Sequence, residues 1–331
     1  QNMVLTYDNA GNITVSVAGA TDPAVPQQRD WAYTYDGRHR LATADLVLNH
    51  GGASRVWNEN WAYDGLHRMT SHTMRTAADS GPVKSVDEAF TFTGLHQPHC
   101  MAGRTCQEER ATYDGAGRVE WLTHLGTPRV LSWTADGMLR EVEVPGSPGQ
   151  ELVRNGYAMA GERTTRVDDN GVARFVGPVL AQAGAGANTH VFVNGQRVAT
   201  EYAGGTAYYV TDHIGSTSMV LDAHGALATH VVLSPYGEEV VTSTGTVWSA
   251  MGQRFLVTGK ERDEATGYDA FGWRFYSSKG LTWLSPEPMF ADALKQGPRG
   301  MNLYGFVGGR PVVFTDPDGR IVREPATGRI A

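Results

Sequence analysis

Few side chains in this 331-residue chain are spaced for chemistry. His96, His99, Cys100 and Cys106 crowd into "HQPHCMAGRTC", where imidazoles and thiolates would suit a soft divalent metal. The His-x2-His-Cys-x5-Cys spacing lacks the two separated knuckles of common zinc sites, so a local disulfide and two unpaired thiols stay open beside it. Asp212-His213 invites an acid–base reading, yet both residues fit a turn between strands. There is no Gly-x-Ser-x-Gly elbow and no His-Glu-x-x-His, which leaves a hydrolase triad and a zinc protease unsupported. "AQAGAGAN" (181–188) lacks the Lys-Ser/Thr of a phosphate loop. Near the C-terminus, Asp316-Pro317-Asp318-Gly319 reads as a tight turn, because Pro317 presets φ and Gly319 tolerates a left-handed position. Peptide hydrolysis by carboxylates needs two of them close enough to share a proton, with an arginine able to hold one charged. A single aspartate in a turn is therefore silent until other elements bring it a partner.

Those elements are expected to be strands. The chain holds 40 Gly, 8 Trp and 13 Tyr, and glycines between aromatic-rich runs mean many turns between strands. An all-β fold follows from this alone. Net charge is -7 and the basic residues stand singly, which argues against a nucleic-acid surface and against docking on an anionic membrane. No apolar run of about 18 residues is present, so no transmembrane helix is expected. No basic-then-apolar leader opens the chain. The first residue, Gln1, suggests a processed product or a piece of something longer.

A repeat organises the first part. "LTYDNAGN", "YTYDGRHR", "WAYDGLHR" and "ATYDGAGR" place Tyr-Asp at 7–8, 35–36, 63–64 and 113–114. "WTADGMLR" continues the series with Ala135-Asp136, and weaker echoes surround Asp169 and Asp222. In each unit an aromatic-rich strand runs into an aspartate whose carboxylate can accept backbone N–H bonds, two turn formers and a Gly or substitute follow, and a second strand returns. "RVEWLTHLG" is such a return strand, with Val119, Trp121 and Thr123 expected on one face. The spacing is irregular, 28, 28, 50 and 22 residues between successive units, so insertions fall between hairpins rather than inside a short-period solenoid. A lone hairpin cannot bury its apolar face, and stacked hairpins share one sheet. Trp31, Trp61, Trp121 and Trp133 are read as inner-face packing rather than a carbohydrate platform.

These units resemble the YD repeats of Rhs proteins, of Tc toxin C subunits and of teneurins, over roughly residues 1–205. From Tyr208 the sequence becomes more specific. Asp212-His213-x-Gly-Ser, Pro235-Tyr236-Gly237, Thr258-Gly259-Lys260-Glu261-Arg262-Asp263, Gly272-x-Arg274-x-Tyr276 and Asn302-Leu303-Tyr304 occur in an order that resembles the Rhs repeat-associated core domain over residues 206–320. The resemblance implies a β-sheet that spirals into a hollow shell, a core that turns inward as a plug, and a toxin that follows the core and is held inside. Residues 321–331 would then be the start of the variable payload. With so few hairpins, an incomplete shell is expected, with an open sheet edge near residue 1.

The resemblance also nominates a self-cutting site. Arg274 matches the family's core arginine and Asp316 its second acid, while Glu287 stands where relatives usually carry aspartate. The implied cut falls between Arg320 and Ile321, where relatives usually have Leu before the cut. The implied activity is at most a single-turnover, aspartyl-type autoproteolysis, with no cofactor and no metal. Implied partners are the chain's own toxin region and N-terminal shell region, together with components of a secretion system such as a type VI spike. The protein would be made in a bacterial cytoplasm and then secreted or delivered to target cells in interbacterial competition. The rival reading is a cell-surface YD scaffold without cargo or enzymatic activity.

Overall fold

The computed structural model describes residues 2–19, 28–50, 53–78, 84–92, 111–124, 127–146, 150–159, 161–183, 186–243, 246–295, 297–320 and 322. Over these residues it is almost entirely β, in three antiparallel sheets. A seven-stranded meander runs from Asn2–Tyr7 to Lys84–Ala89, with strand Asn2–Tyr7 at its edge. A fourteen-stranded meander runs from Ala111–Tyr113 to Glu239–Ser243, unbroken through residues 205 and 206. A small five-stranded sheet of very short strands lies between Arg254–Phe255 and Thr282–Trp283.

The turns explain why the chain folds back where it does. Asp36 Oδ1 accepts the Arg38 and Arg40 amide N–H groups at 2.9 and 3.0 Å, while Oδ2 accepts Arg40 Nε at 2.7 Å. Asp64 and Asp114 repeat this with Arg68 and Arg118. Asn12 takes the arginine's place beside Asp8. Neighbouring turns are stapled, because Arg40 Nη1 donates to the Asp64 carbonyl at 2.8 Å and Arg118 Nη1 to that of Thr134 at 3.0 Å.

That last contact corrects the repeat's register. The unit read around Asp136 in fact turns at Thr134, whose N–H donates to the Met138 carbonyl and whose Oγ1 accepts the Met138 N–H. Trp133 therefore occupies the tyrosine position.

After each turn the ladder skips a residue. Tyr7 pairs with Ile13, Tyr35 with Leu41, Tyr63 with Met69, Tyr113 with Val119 and Trp133 with Leu139. A bulge at the same place in successive hairpins bends and twists the sheet the same way each time, which is how the wall acquires its curvature. It also moves side chains across the sheet. Val119 and Leu122 are buried and Trp121 is not, because Glu120 is the extra residue and alternation restarts after it. Trp31 and Trp61 do pack inward, stacked on Tyr33 and His72.

From Val247 on, the chain fills the concave side of both large sheets. Trp31, Leu46 and Trp61 share one apolar cluster with Tyr276, Trp283 and Phe306. Val119, Leu131 and Val153 share a second with Tyr268 and Phe275, and Ala207, Val220 and Val231 a third with Trp248 and Phe255. Polar contacts fix the docking: Tyr304 donates its hydroxyl to the Gly117 carbonyl at 2.6 Å, and Asn302 Nδ2 donates to that of His67 at 2.7 Å. The C-terminal third is thus an inward-turning plug against a curved, spiralling wall.

Candidate functional site

Arg274, Glu287 and Asp316 come from three separate elements of the plug. Arg274 precedes the strand Phe275–Ser277, Glu287 lies between the strand Thr282–Trp283 and the helix Phe290–Leu294, and Asp316 follows the 3-10 turn Phe306–Gly309. The fold brings them together. Arg274 Nη2 lies 2.7 Å from Glu287 Oε2 and 3.1 Å from Asp316 Oδ2, so both acids sit on one guanidinium nitrogen. Below it, the Trp283 ring centroid is 4.0 Å from the guanidinium carbon, a cation–π contact that fixes the plane of the fork.

The turn that carries Asp316 is built around that acid. Its Oδ1 accepts the N–H groups of Gly319 at 2.8 Å and Arg320 at 3.0 Å. Arg274 Nε donates to the Gly319 carbonyl at 2.5 Å, so the arginine grips the turn backbone as well as the acid. Gly319 has φ +83°, and a Cβ there would come within 3.0 Å of the Arg274 backbone nitrogen. Lys260 Nζ donates to the Pro317 carbonyl at 2.5 Å and Trp273 N–H to that of Asp318 at 3.0 Å.

Burial sets the electrostatics. Asp316 and Arg274 are 0% and 3% exposed, whereas the Glu287 side chain keeps 13% of its surface. Burial raises the Glu287 pKa, against the opposing pull of Arg274. Burial likewise lowers that of Arg274, against Glu287 and Asp316. Glu287 opens onto a cavity of about 340 Å³ that is also lined by Arg320 and Val322. Arg320 itself pairs with Asp318 at 2.7 Å and lies over Trp273. Ile321 lies outside the described residues.

Other sequence candidates separate from this cluster. Asp212 sits in a repeat-type turn, accepting the Ile214 and Ser216 N–H groups, and His213 Nε2 meets the Val312 carbonyl at 2.8 Å. His96, His99, Cys100 and Cys106 lie outside the described residues. Among the described residues no His, Cys, Asp and Glu side chains gather as a metal site, and no helix is long and apolar enough to cross a membrane. Sequence reasoning missed Lys260, Trp273 and Trp283 as supports of the site. Lys260 belongs to the quoted Thr-Gly-Lys-Glu-Arg-Asp run, but nothing local ties it to Pro317.

The chain is similar to known proteins. Residues 194–312 match the Teneurin YD-shell family model. The chain is 28% identical to toxin subunit YenC1 of Yersinia entomophaga over 96% of its own length, and spans 37% of that relative. It is 33% identical to toxin subunit YenC2 of the same organism over 31% of its length, 10% of that relative. A crystal structure of TcdB2-TccC3 without the hypervariable C-terminal region superposes with TM-score 0.74 at 19% identity, over 96% of this chain and 17% of that one. The Photorhabdus luminescens Tc holotoxin pore superposes with TM-score 0.74 at 20% identity, over 96% of this chain and 16% of that one. At such identity the structural likeness speaks to fold, and the fold is that of a YD shell.

Proposed function

Since the chain is an Rhs/YD-repeat protein related to the C subunits of Tc toxins, we propose that it forms the C-terminal part of a toxin shell that encloses a C-terminal payload and releases it by one self-cut after Arg320. Residues 206–320 form the core unit in this reading, with the strands up to Ser243 as its share of the wall, residues 1–205 supply the YD wall, and 321–331 begin the payload. The chain spans little more than a third of YenC1, so a preceding shell region is the natural partner. The solved pairing of TccC3 with TcdB2 favours a companion toxin subunit over a type VI spike as the delivery partner. Secretion, and delivery of the payload to target cells in bacterial competition, follow from the same reading.

The observation that carries the self-cut is the sharing of Arg274 Nη2 by Glu287 and Asp316 immediately before Arg320. Two carboxylates held together in a buried site resist ionising at once, which favours a single shared proton, and Arg274 opposes this by holding one of them charged. Glu287, whose pKa burial raises, holds that proton and gives it to the Arg320 carbonyl oxygen. Asp316 takes a proton from water as the water oxygen bonds to the carbonyl carbon. The C–N bond to Ile321 then breaks, the proton on Asp316 passes to the leaving amine, and Glu287 takes a proton back from one hydroxyl of the diol as the new carboxyl group forms. Glutamate in place of the family's aspartate shifts its oxygen by about 1 Å, which slows a positioned reaction by roughly 10²-fold. A single turnover with hours to complete tolerates that. Intact mass tests the reading: freshly made wild type loses residues 321–331 and Asp316→Asn keeps them. Full-length mass for both over days leaves the cargo-free scaffold.

A further inference from the structure

The residue before the proposed cut is held by more than its own backbone. Asp318 meets Arg320 with both carboxylate oxygens: Oδ1 accepts the Arg320 N–H at 3.1 Å, and Oδ2 accepts Nε at 3.0 Å and Nη2 at 2.7 Å. The same N–H is shared with Asp316 Oδ1 at 3.0 Å. On the other side lies Trp273, whose ring centroid is 4.7 Å from the guanidinium carbon. Asp318 is the only acid paired with the Arg320 side chain among the described residues.

The tryptophan is itself fixed from two directions. Its N–H donates to the Asp318 carbonyl at 3.0 Å, which ties it to the same turn. Its ring reaches the wall at Gly161, where an added Cβ would lie 3.5 Å from Cη2 and Cζ3. Gly161 closes a wall turn, its N–H donating to the Ala158 carbonyl at 3.2 Å. An arginine laid between that aspartate and that ring is confined to one course.

The confinement bears on the scissile carbonyl because the α-carbon is tetrahedral, with fixed bond lengths. The Arg320 nitrogen is held by two carboxylates and the direction of its Cβ by the clamp. The bond from Cα to the carbonyl carbon then points one way, and only rotation about it stays soft. A displacement of about 1 Å at a reacting carbon slows a positioned reaction by roughly 10²-fold. The Arg320 and Asp318 side chains are 36% and 38% exposed, so an unpaired guanidinium would swing out to water. At that exposure the pair is screened, and its charge is worth about fivefold or less. Asp318 also acts at longer range, since its charge helps to raise the Glu287 pKa, so the two routes must be told apart.

We propose that Asp318 is a positioning residue for the self-cut: it holds the Arg320 side chain against Trp273 and so aims the Arg320 carbonyl, a role that rests on the self-cut itself. Intact mass followed over time gives the rate at which residues 321–331 are lost. Asp318→Asn keeps an Oδ1 acceptor for the Arg320 N–H but loses the charge, and is expected to slow the cut about three- to fivefold. In an Arg320→Leu background, whatever its own rate, the same change is expected to act less than about twofold, because leucine has no charge to pair. Arg320→Met serves if leucine there stops the cut. Equal slowing in both backgrounds overturns the proposal and leaves Asp318 acting on Glu287 through its charge. No slowing in either overturns it too. A wild type that keeps its tail sinks the self-cut on its own, and trypsin then judges the clamp. Trypsin must draw an arginine into its own acidic pocket, so a clamped Arg320 is cut slowly. Cleavage after Arg320, relative to cleavage after Arg323 in the same tail, is expected to rise about threefold or more in Asp318→Asn. A rise supports the clamp without the cut, and an unchanged ratio overturns both.

Discussion

The turns at Asp36, Asp64 and Asp114 and the turn at Asp316 use the same device to different ends. In all four, Oδ1 of an aspartate accepts the amide N–H of the residue four places on, which closes the turn. They differ in where Oδ2 goes. In the wall it meets the arginine four residues along, at a surface where the acid side chain stays 21–27% exposed. In the plug, Arg320 occupies that position but pairs with Asp318, and Asp316 Oδ2 goes to Arg274, 42 residues back and buried. A wall turn closes its own carboxylate within five residues, and its arginine reaches only as far as the next turn's backbone. The plug turn is completed only when the rest of the plug has folded, and its arginine is shared with a second acid. A self-contained carboxylate is a structural part, whereas a carboxylate wired to a remote, shared cation is suited to chemistry.

Removing the cation should separate the two regions most. Arg274→Met leaves Glu287 and Asp316 buried without their counter-ion, a defect worth about 3–5 kcal/mol. Arg118→Met removes an arginine whose side chain and partner are each 21% exposed, and such a pair contributes about 1 kcal/mol or less. Urea unfolding of both variants measures the ratio. Equal losses would mean that the plug arginine is an ordinary surface clamp.

The wall was legible because its rule is local. Tyr-Asp followed by a turn former and an arginine states the strand end, the carboxylate clamp and the return strand within eight residues, as at Asp36 and Asp64. The rule was misapplied at Asp136 because the backbone turn does not require aspartate. Thr134 and Ser234 close the same loop with a hydroxyl, and Ala158 and Leu256 close it with backbone alone. Side-chain parity failed at Trp121 because a bulge leaves no mark on residue type. For the site, the three residue types came from resemblance to a family. Their meeting on one nitrogen depends on packing between segments 13 to 42 residues apart, which no local pattern encodes. Lys260 and Trp283 stayed invisible for the same reason.

A methyl group sharpens the comparison further. Gly137 and Gly319 share nearly the same φ, +85° and +83°, but an added Cβ meets nothing within 4 Å at Gly137. At Gly319 it meets the Arg274 backbone nitrogen at 3.0 Å and the Arg274 and Phe271 Cβ atoms at 3.3 Å. Gly137→Ala therefore costs only the left-handed backbone penalty, about 1–2 kcal/mol. Gly319→Ala adds overpacking of about 1–3 kcal/mol to the same penalty. Thermal unfolding of the pair isolates the difference, and similar losses would mean that the plug turn is as loosely held as a wall turn.

The finest distinction is the sign of the pH response. At Asp36, Asp64 and Asp114 burial alone would raise the pKa, but the arginine and the backbone N–H groups outweigh it and hold each below the ordinary 3.8. A lowered acid stabilises the fold fully above its unfolded pKa and loses that contribution as pH falls through the folded value. At Glu287 burial prevails over Arg274 and raises the pKa above 4.5. A raised acid does the opposite: its contribution is complete below the unfolded pKa and is lost as pH rises through the folded value. Urea midpoints measured from pH 2.5 to 7 should therefore diverge in opposite directions. Relative to wild type, the combined Asp36→Asn, Asp64→Asn and Asp114→Asn variant loses ground as pH rises from 2.5 past 3.8. Glu287→Gln, again relative to wild type, gains ground as pH rises above 4.5, because it lacks the carboxyl whose ionisation the plug resists. If both variants drift the same way, Glu287 ionises as freely as a wall acid, and the proton assigned to it in the self-cut must sit elsewhere.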